Sequence, residues 1–239
     1  MEKFSQPEII ITHEADLDGL LSGMLLQRLA KELFDEEIRL QAYQTHNWRN
    51  RYLGERTVWV TDLAFEKRLD RIGWLVVDHH VTSVQPDNAT LVHDPEKSAS
   101  LLVYELCREE GLGNPELDRL VHLTNVGDLF LKDDPDFQEA NDYGSLVKTH
   151  GFWSLFALLD GQPEKLINHP LLEVAQVKRR VEDPIGLDWS RNNVTEINSD
   201  VALVKTVVGN SNLILHQLLE DPENKHKVLI TLGRSSNKQ

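Results

Sequence analysis

Short runs of aliphatic and β-branched residues recur along the first part of this chain, each followed by a stretch of helical periodicity or a polar loop. EIIIT at 8–12, TVWVT at 57–61 and WLVV at 74–77 are apolar almost throughout. Runs this brief, with both faces hydrophobic, fit strands covered by helices on each side. Weaker strands are expected at 38–43 and 90–92. Residues 19–34 place Leu20, Leu21, Met24, Leu25, Leu29 and Leu33 on one face of a helix. A short helix is expected at 65–71, and the Arg-rich stretch 44–56 reads as a loop. This alternation predicts an α/β fold built on a parallel sheet flanked by helices.

From Ser98 the pattern turns helical. A helix through Leu101, Leu102, Tyr104, Glu105 and Leu106 ends at GLGNP, and helical segments follow at 117–126, 139–159 and 163–181. Asp183-Pro184 and the polar stretch 189–200 read as a linker. A strand at 201–207, a helix at 212–219, a turn at Asp221-Pro222 and a strand at 227–232 then begin a partial second α/β unit. The expected organisation is a main domain at 1–183, a linker at 184–200 and the partial unit at 201–239.

Composition narrows the function classes. Lys+Arg 25 against Asp+Glu 39 leaves −14 over 239 residues. A protein that coats long nucleic acid by charge needs surplus cations, so that class is excluded. Cys107 is the single cysteine, which excludes an intrachain disulfide or a thiolate metal cluster. The apolar stretch 152–159 is far shorter than a membrane span, and MEKFSQPE carries acids where a secretory signal carries basic residues. A cytoplasmic protein with no membrane partner is the expectation.

Three expected strands run directly into chemistry-bearing residues: the first into HEADLDG at 13–19, the third into Asp62, the fourth into Asp78-His79-His80. Ligands of an open parallel sheet collect at the carboxyl ends of its strands, so these groups should converge. Asp128, in NVGDLF, follows an expected helix and could fold back over the same place. Taken singly, Asp18 or Asp62 could be a helix cap and Asp128 a surface acid. Independent caps would have no reason to share one edge. Four clustered carboxylates raise one another's pKa, and two divalent ions would balance them. Carboxylates with imidazoles suit Mn²⁺ or Mg²⁺ better than structural zinc.

The four segments, in this order between residues 8 and 130, resemble the motifs of the DHH phosphoesterase family, named for the triplet standing here at Asp78-His79-His80. Its relatives include RecJ-type exonucleases, small-RNA and nucleotide phosphodiesterases and manganese-dependent pyrophosphatases. The resemblance implies a hydrolase with two metal ions, Mn²⁺ preferred and Mg²⁺ as the alternative. It gives His13, Asp16 and Asp62 to one ion and Asp18, Asp62, His79 and Asp128 to the other, with Asp62 bridging. It sets His80 against the substrate phosphate and has Asp78 hold an imidazole or a water on the metal. Ser98, after His93-Asp94-Pro95, resembles the stretch before the helix that closes the site; it reads equally as a phosphate contact or a helix N-cap.

The 201–239 segment resembles the first half of the family's second domain. VLITLGRSS makes Arg234 a phosphate-ligand candidate, with a solvated chain end as the alternative. The Gly-Gly-Gly-His segment that follows in the family does not occur before Gln239. Trp48 with Arg49, Arg51 and Arg56, and the run Lys178, Arg179 and Arg180 near an expected helix end, could grip a short polyanion or be ordinary surface charge. The implied activity is a phosphodiesterase acting on short single-stranded nucleic acid or a small nucleotide. An exopolyphosphatase or pyrophosphatase, or a non-catalytic DHH scaffold, is the alternative, and a homo-oligomer is left open.

Overall fold

The computed structural model describes residues 4–231. The chain divides into two compact units, Met1–Leu172 and Glu173–Gln239.

In the first unit, strands β1 (Ile9–His13), β2 (Leu40–Tyr43), β3 (Val58–Thr61), β4 (Leu75–Asp78) and β5 (Thr90–His93) form one sheet in the order β2-β1-β3-β4-β5. Every pairing is parallel. Strand order reverses between β1 and β3, which makes their carboxyl ends the switch point where open sheets bind ligands. The central strands β1, β3 and β4 are apolar along most of their length because both of their faces are covered. Ile9, Ile11, Val58, Val60 and Val76 pack with Trp48, Phe65, Leu69 and Trp74 on one side. The alternate residues Ile10, Trp59 and Val77 are also buried, and the Trp59 ring meets Phe4 and Phe34 edge-on.

Helix α1 (Leu17–Phe34) starts where Asp16 accepts a hydrogen bond from the Gly19 N–H, and stops at Asp35 in the left-handed region. It packs against β1 and against α3 (Ala99–Glu109). A short helix, α2 (Thr45–Arg49), interrupts the stretch expected to be all loop, held by burial of Trp48. The helix expected at 65–71 is one 3₁₀ turn, Lys67–Leu69. Asn114 caps α4 (Pro115–Asp128), with Pro115 in its first turn. The segment expected as one helix over 139–159 is two, α5 (Phe137–His150) and α6 (Phe152–Leu159), because Gly151 sits at φ 84° between them.

Helix α7 (Pro170–Arg191) runs into the stretch read from sequence as a linker, 184–200. Pro184 lies inside the helix rather than ending it, since Ala175, Arg179 and Ser190 form a buried face whose packing overrides the local cost of proline. In the second unit β6 (Val194–Glu196) pairs antiparallel with β7 (Val201–Val204), which pairs parallel with β8 (Val228–Thr231). Helix α8 (Ser211–Leu219) covers one face through Ile214 and Leu218 on Val204.

Candidate functional site

The carboxyl ends of β1, β3 and β4 bring the expected groups together. His13 closes β1. A Cβ on Gly19 would lie 2.2 Å from the His13 carbonyl oxygen, so only glycine lets α1 begin this close to the strand. That turn folds Asp16 back on His13, Nδ1 to Oδ2 at 3.1 Å.

Asp62 follows β3 with φ 54°, an uncommon conformation that Asp and Asn tolerate better than most residues. Its amide still donates to the Val77 carbonyl at 3.1 Å, which fixes the turn to β4. The carboxylate is 3% exposed, and its two oxygens address different neighbours. Oδ2 is 3.4 Å from His13 Nδ1, and Oδ1 is 3.6 Å from His79 Nε2. Oδ2 is buried without a hydrogen-bond partner. Burial, then the charges of Asp16 and Asp18, push the Asp62 carboxyl well above the usual range.

His79 Nε2 also lies 3.4 Å from Asp128 Oδ2 and 4.0 Å from Asp18 Oδ2. Asp128 is the last residue of α4, so the helix delivers it directly to the cluster. Burial, followed by the charges of Asp18 and Asp62, raises its carboxyl to about 9. Asp18 is held by both oxygens: Ala99 N–H donates to Oδ2 at 2.9 Å and Ser100 N–H to Oδ1 at 2.8 Å. Anchoring at the N-terminus of α3 is favourable to a carboxylate. Burial outweighs it, and the Asp18 carboxyl is raised. His13 moves the other way to its burial: burial lowers it, but its hydrogen bond to Asp16 and the negative charges of Asp16 and Asp62 lift it to about 10.

Ligand atoms of His13, Asp16 and Asp62 lie within 4.8 Å of one another, and so do those of Asp18, His79 and Asp128 and those of Asp62, His79 and His80. Each set could hold a cation, with Asp62 reaching two of them. The orphaned Asp62 oxygen and the raised carboxyls of Asp18, Asp62 and Asp128 describe a group of acids short of positive charge, which divalent ions would supply.

Asp78 is fully buried and accepts from Phe65 N–H at 3.3 Å, while its Oδ1 lies 2.7 Å from His80 Nδ1. That hydrogen bond raises the His80 pKa against a smaller opposing effect of burial. His93, opposite Asp78 in the β4–β5 register, has Nε2 2.8 Å from the His80 carbonyl oxygen. The His93 contact and the grip of the Ala99 and Ser100 amides on Asp18 are contributions that sequence reasoning did not assign. The only signal for the second was the N-cap pattern at Ser98.

Ser98 takes up the cap geometry: its buried Oγ accepts from Leu101 N–H at 3.3 Å at the start of α3 and lies 3.0 Å from Ser100 Oγ. Trp48 is a correction. It is buried with the Arg68 guanidinium 4.4 Å over its ring, and Arg51 is engaged by Tyr43 and Glu55, which leaves no open face for a base. Lys178, Arg179 and Arg180 lie in mid-helix rather than at an end, with Arg179 donating to Asp183 at 3.2 Å. Arg234 lies outside the described residues.

No family model and no curated protein matches this chain. Two of the solved structures that share its fold are informative here. One is a pGpG-specific phosphodiesterase, PggH, from Vibrio cholerae, at 15% identity and a TM-score of 0.55, covering 87% of this chain and 74% of that one. The other is RecJ from Thermus thermophilus in complex with Mn²⁺, at 14% identity and a TM-score of 0.55. There the match covers 95% of this chain but 44% of RecJ. At such identities the likeness is one of fold.

Proposed function

We propose that this chain is a DHH-type phosphoesterase that uses two divalent cations, Mn²⁺ preferred over Mg²⁺, to hydrolyse phosphodiester bonds of short oligonucleotides or small nucleotides. The observation that carries this reading is the meeting of two ligand sets, His13–Asp16–Asp62 and Asp18–His79–Asp128, with the two Asp62 oxygens turned one toward each. His13, Asp16 and Asp62 would hold one ion, and Asp18, Asp62, His79 and Asp128 the other. When bound, such a pair polarises a phosphoryl oxygen and makes water a nucleophile near neutral pH.

The protein's own groups then have distinct tasks. Asp62 orients both ligand sets from a backbone conformation fixed by the Val77 carbonyl. The amides of Ala99 and Ser100 hold Asp18 so that its carboxylate cannot swing away. Asp78 takes Nδ1 of His80 and favours the imidazolium, leaving Nε2 to donate to a phosphate oxygen as negative charge grows there. The fold shared with PggH and RecJ supports a phosphodiester substrate. The net charge of −14 favours a short one, gripped near the cluster rather than along a basic track.

The test is a panel of pGpG, short single-stranded oligonucleotides, polyphosphate and pyrophosphate, assayed with Mn²⁺ and with Mg²⁺, on the wild-type chain and on Asp62→Ala. Metal-dependent cleavage of the first two, abolished in the variant, is the expected result. Cleavage confined to pyrophosphate or polyphosphate would replace the substrate class. A fully active Asp62→Ala protein would end the two-metal assignment.

A further inference from the structure

Helix α7 carries a second feature that the chemistry above does not use. Val174, Val177, Val181, Ile185 and Trp189 are each between 46% and 57% exposed. Their spacing of three, four, four and four residues keeps them within an arc of about 120° over roughly 22 Å of helix, at 100° and 1.5 Å per residue. The opposite face is already buried through Ala175, Arg179 and Ser190. An amphipathic helix ordinarily has one apolar stripe; this one has a buried face and a further stripe turned outward.

We infer that this outward stripe of α7 is the contact surface of a two-fold homodimer in which the helix packs antiparallel against its own copy. Area favours a second copy over a small ligand. The stripe exposes on the order of 500 Å² of apolar surface, near the upper limit of what a typical monomer leaves open. Two copies would bury about 1,000 Å² of it, and with a polar rim this approaches the roughly 1,600 Å² of a standard interface, somewhat more than half of it apolar.

Shape favours self-pairing as well. The bulky Trp189 stands at one end and the smaller Val174 and Val177 at the other. Antiparallel pairing sets each indole over the small end of its mate and brings Val181 to the axis, opposite itself, as an isologous contact requires. Charge does not oppose it. In a chain of net −14, the acids of this helix beyond residue 172, Glu173, Glu182, Asp183 and Asp188, are matched by Lys178, Arg179, Arg180 and Arg191. Two copies therefore meet at a locally neutral surface.

The experiment is sedimentation velocity on the full chain at tens of micromolar, beside two variants. The wild type should run as a dimer of twice 27.4 kDa. Val181→Lys, which sets two ammonium groups face to face on the axis, should raise the dimer Kd at least a hundredfold, with an unchanged circular dichroism spectrum. Val181→Cys should form an intermolecular disulfide with copper phenanthroline as oxidant, attributable to that position because the one native thiol, Cys107, is buried. Val228→Cys, an exposed apolar position on β8, should not. A monomeric wild type overturns the inference. So does a dimer that cross-links through position 228 and not 181, or one that Val181→Lys leaves intact.

Discussion

Asp62→Asn should move the stability of the protein in opposite directions with and without metal. The side chain is 3% exposed, has an oxygen without a hydrogen-bond partner, and is surrounded by Asp16 and Asp18. In the metal-free protein the amide is close to isosteric, tolerates the φ of 54° and removes a buried acid from a cluster of like charge. Relief of this kind at a functional site contributes about 1 kcal/mol. For a unit of this size that corresponds to a rise of roughly 2–4 °C in Tm. With Mn²⁺ at about a hundred times its Kd, the wild type should gain about 2.7 kcal/mol through ligand linkage, hence roughly 5–11 °C. The variant should gain little, because it has lost the charge shared by both ligand sets. Scanning calorimetry in chelator and in Mn²⁺ reads both terms. The order of the two melting points should invert. A variant that melts below wild type in chelator, or that keeps the full metal-induced shift, would refute the account of Asp62.

Metal-free stability should fall as pH rises from about 4 toward 9. Asp128, raised to about 9, keeps its proton when folded after the unfolded chain has lost it near 3.8, so the folded state binds more protons throughout that window. His13, raised to about 10, contributes stability that is full below 6.5 and is lost as pH climbs through about 10, the same sign. Urea titrations in chelator across this range would read the slope, and Mn²⁺ affinity should run the opposite way, because ligands must lose protons to bind. His80→Asn should lower kcat by about 10²- to 10⁴-fold while leaving Mn²⁺ affinity by calorimetric titration near wild type; loss of metal binding would make it a ligand instead. Gly19→Ala places a methyl 2.2 Å from the His13 carbonyl and should cost about 1–3 kcal/mol in urea unfolding, with weakened metal binding; an unchanged midpoint would show that the α1 start can shift freely.

The parallel sheet was legible because its central strands are short runs apolar on both faces, as in Ile9–His13 and Val58–Thr61. The cluster was legible because His13, Asp62 and Asp78 stand where those runs stop, and strand direction alone brings such ends to one edge. What local pattern could not supply was tertiary. Pro184 reads as a break in sequence and is tolerated in α7 because the face beside it is buried. Trp48 among arginines reads as a stacking platform and is core, capped by Arg68 from 20 residues further on. Ser98 matches both a cap and a phosphate contact in sequence, and the cap becomes visible only with the Leu101 amide in place.

The grip on Asp18 joins residues 81 and 82 positions apart in the chain. The acid at the start of one helix is therefore in order only while the first turn of another stays seated beside it. Amide exchange at Ala99 and Ser100 becomes an internal gauge: its slowing on metal addition would report that closure of the centre and docking of the two helices are a single event.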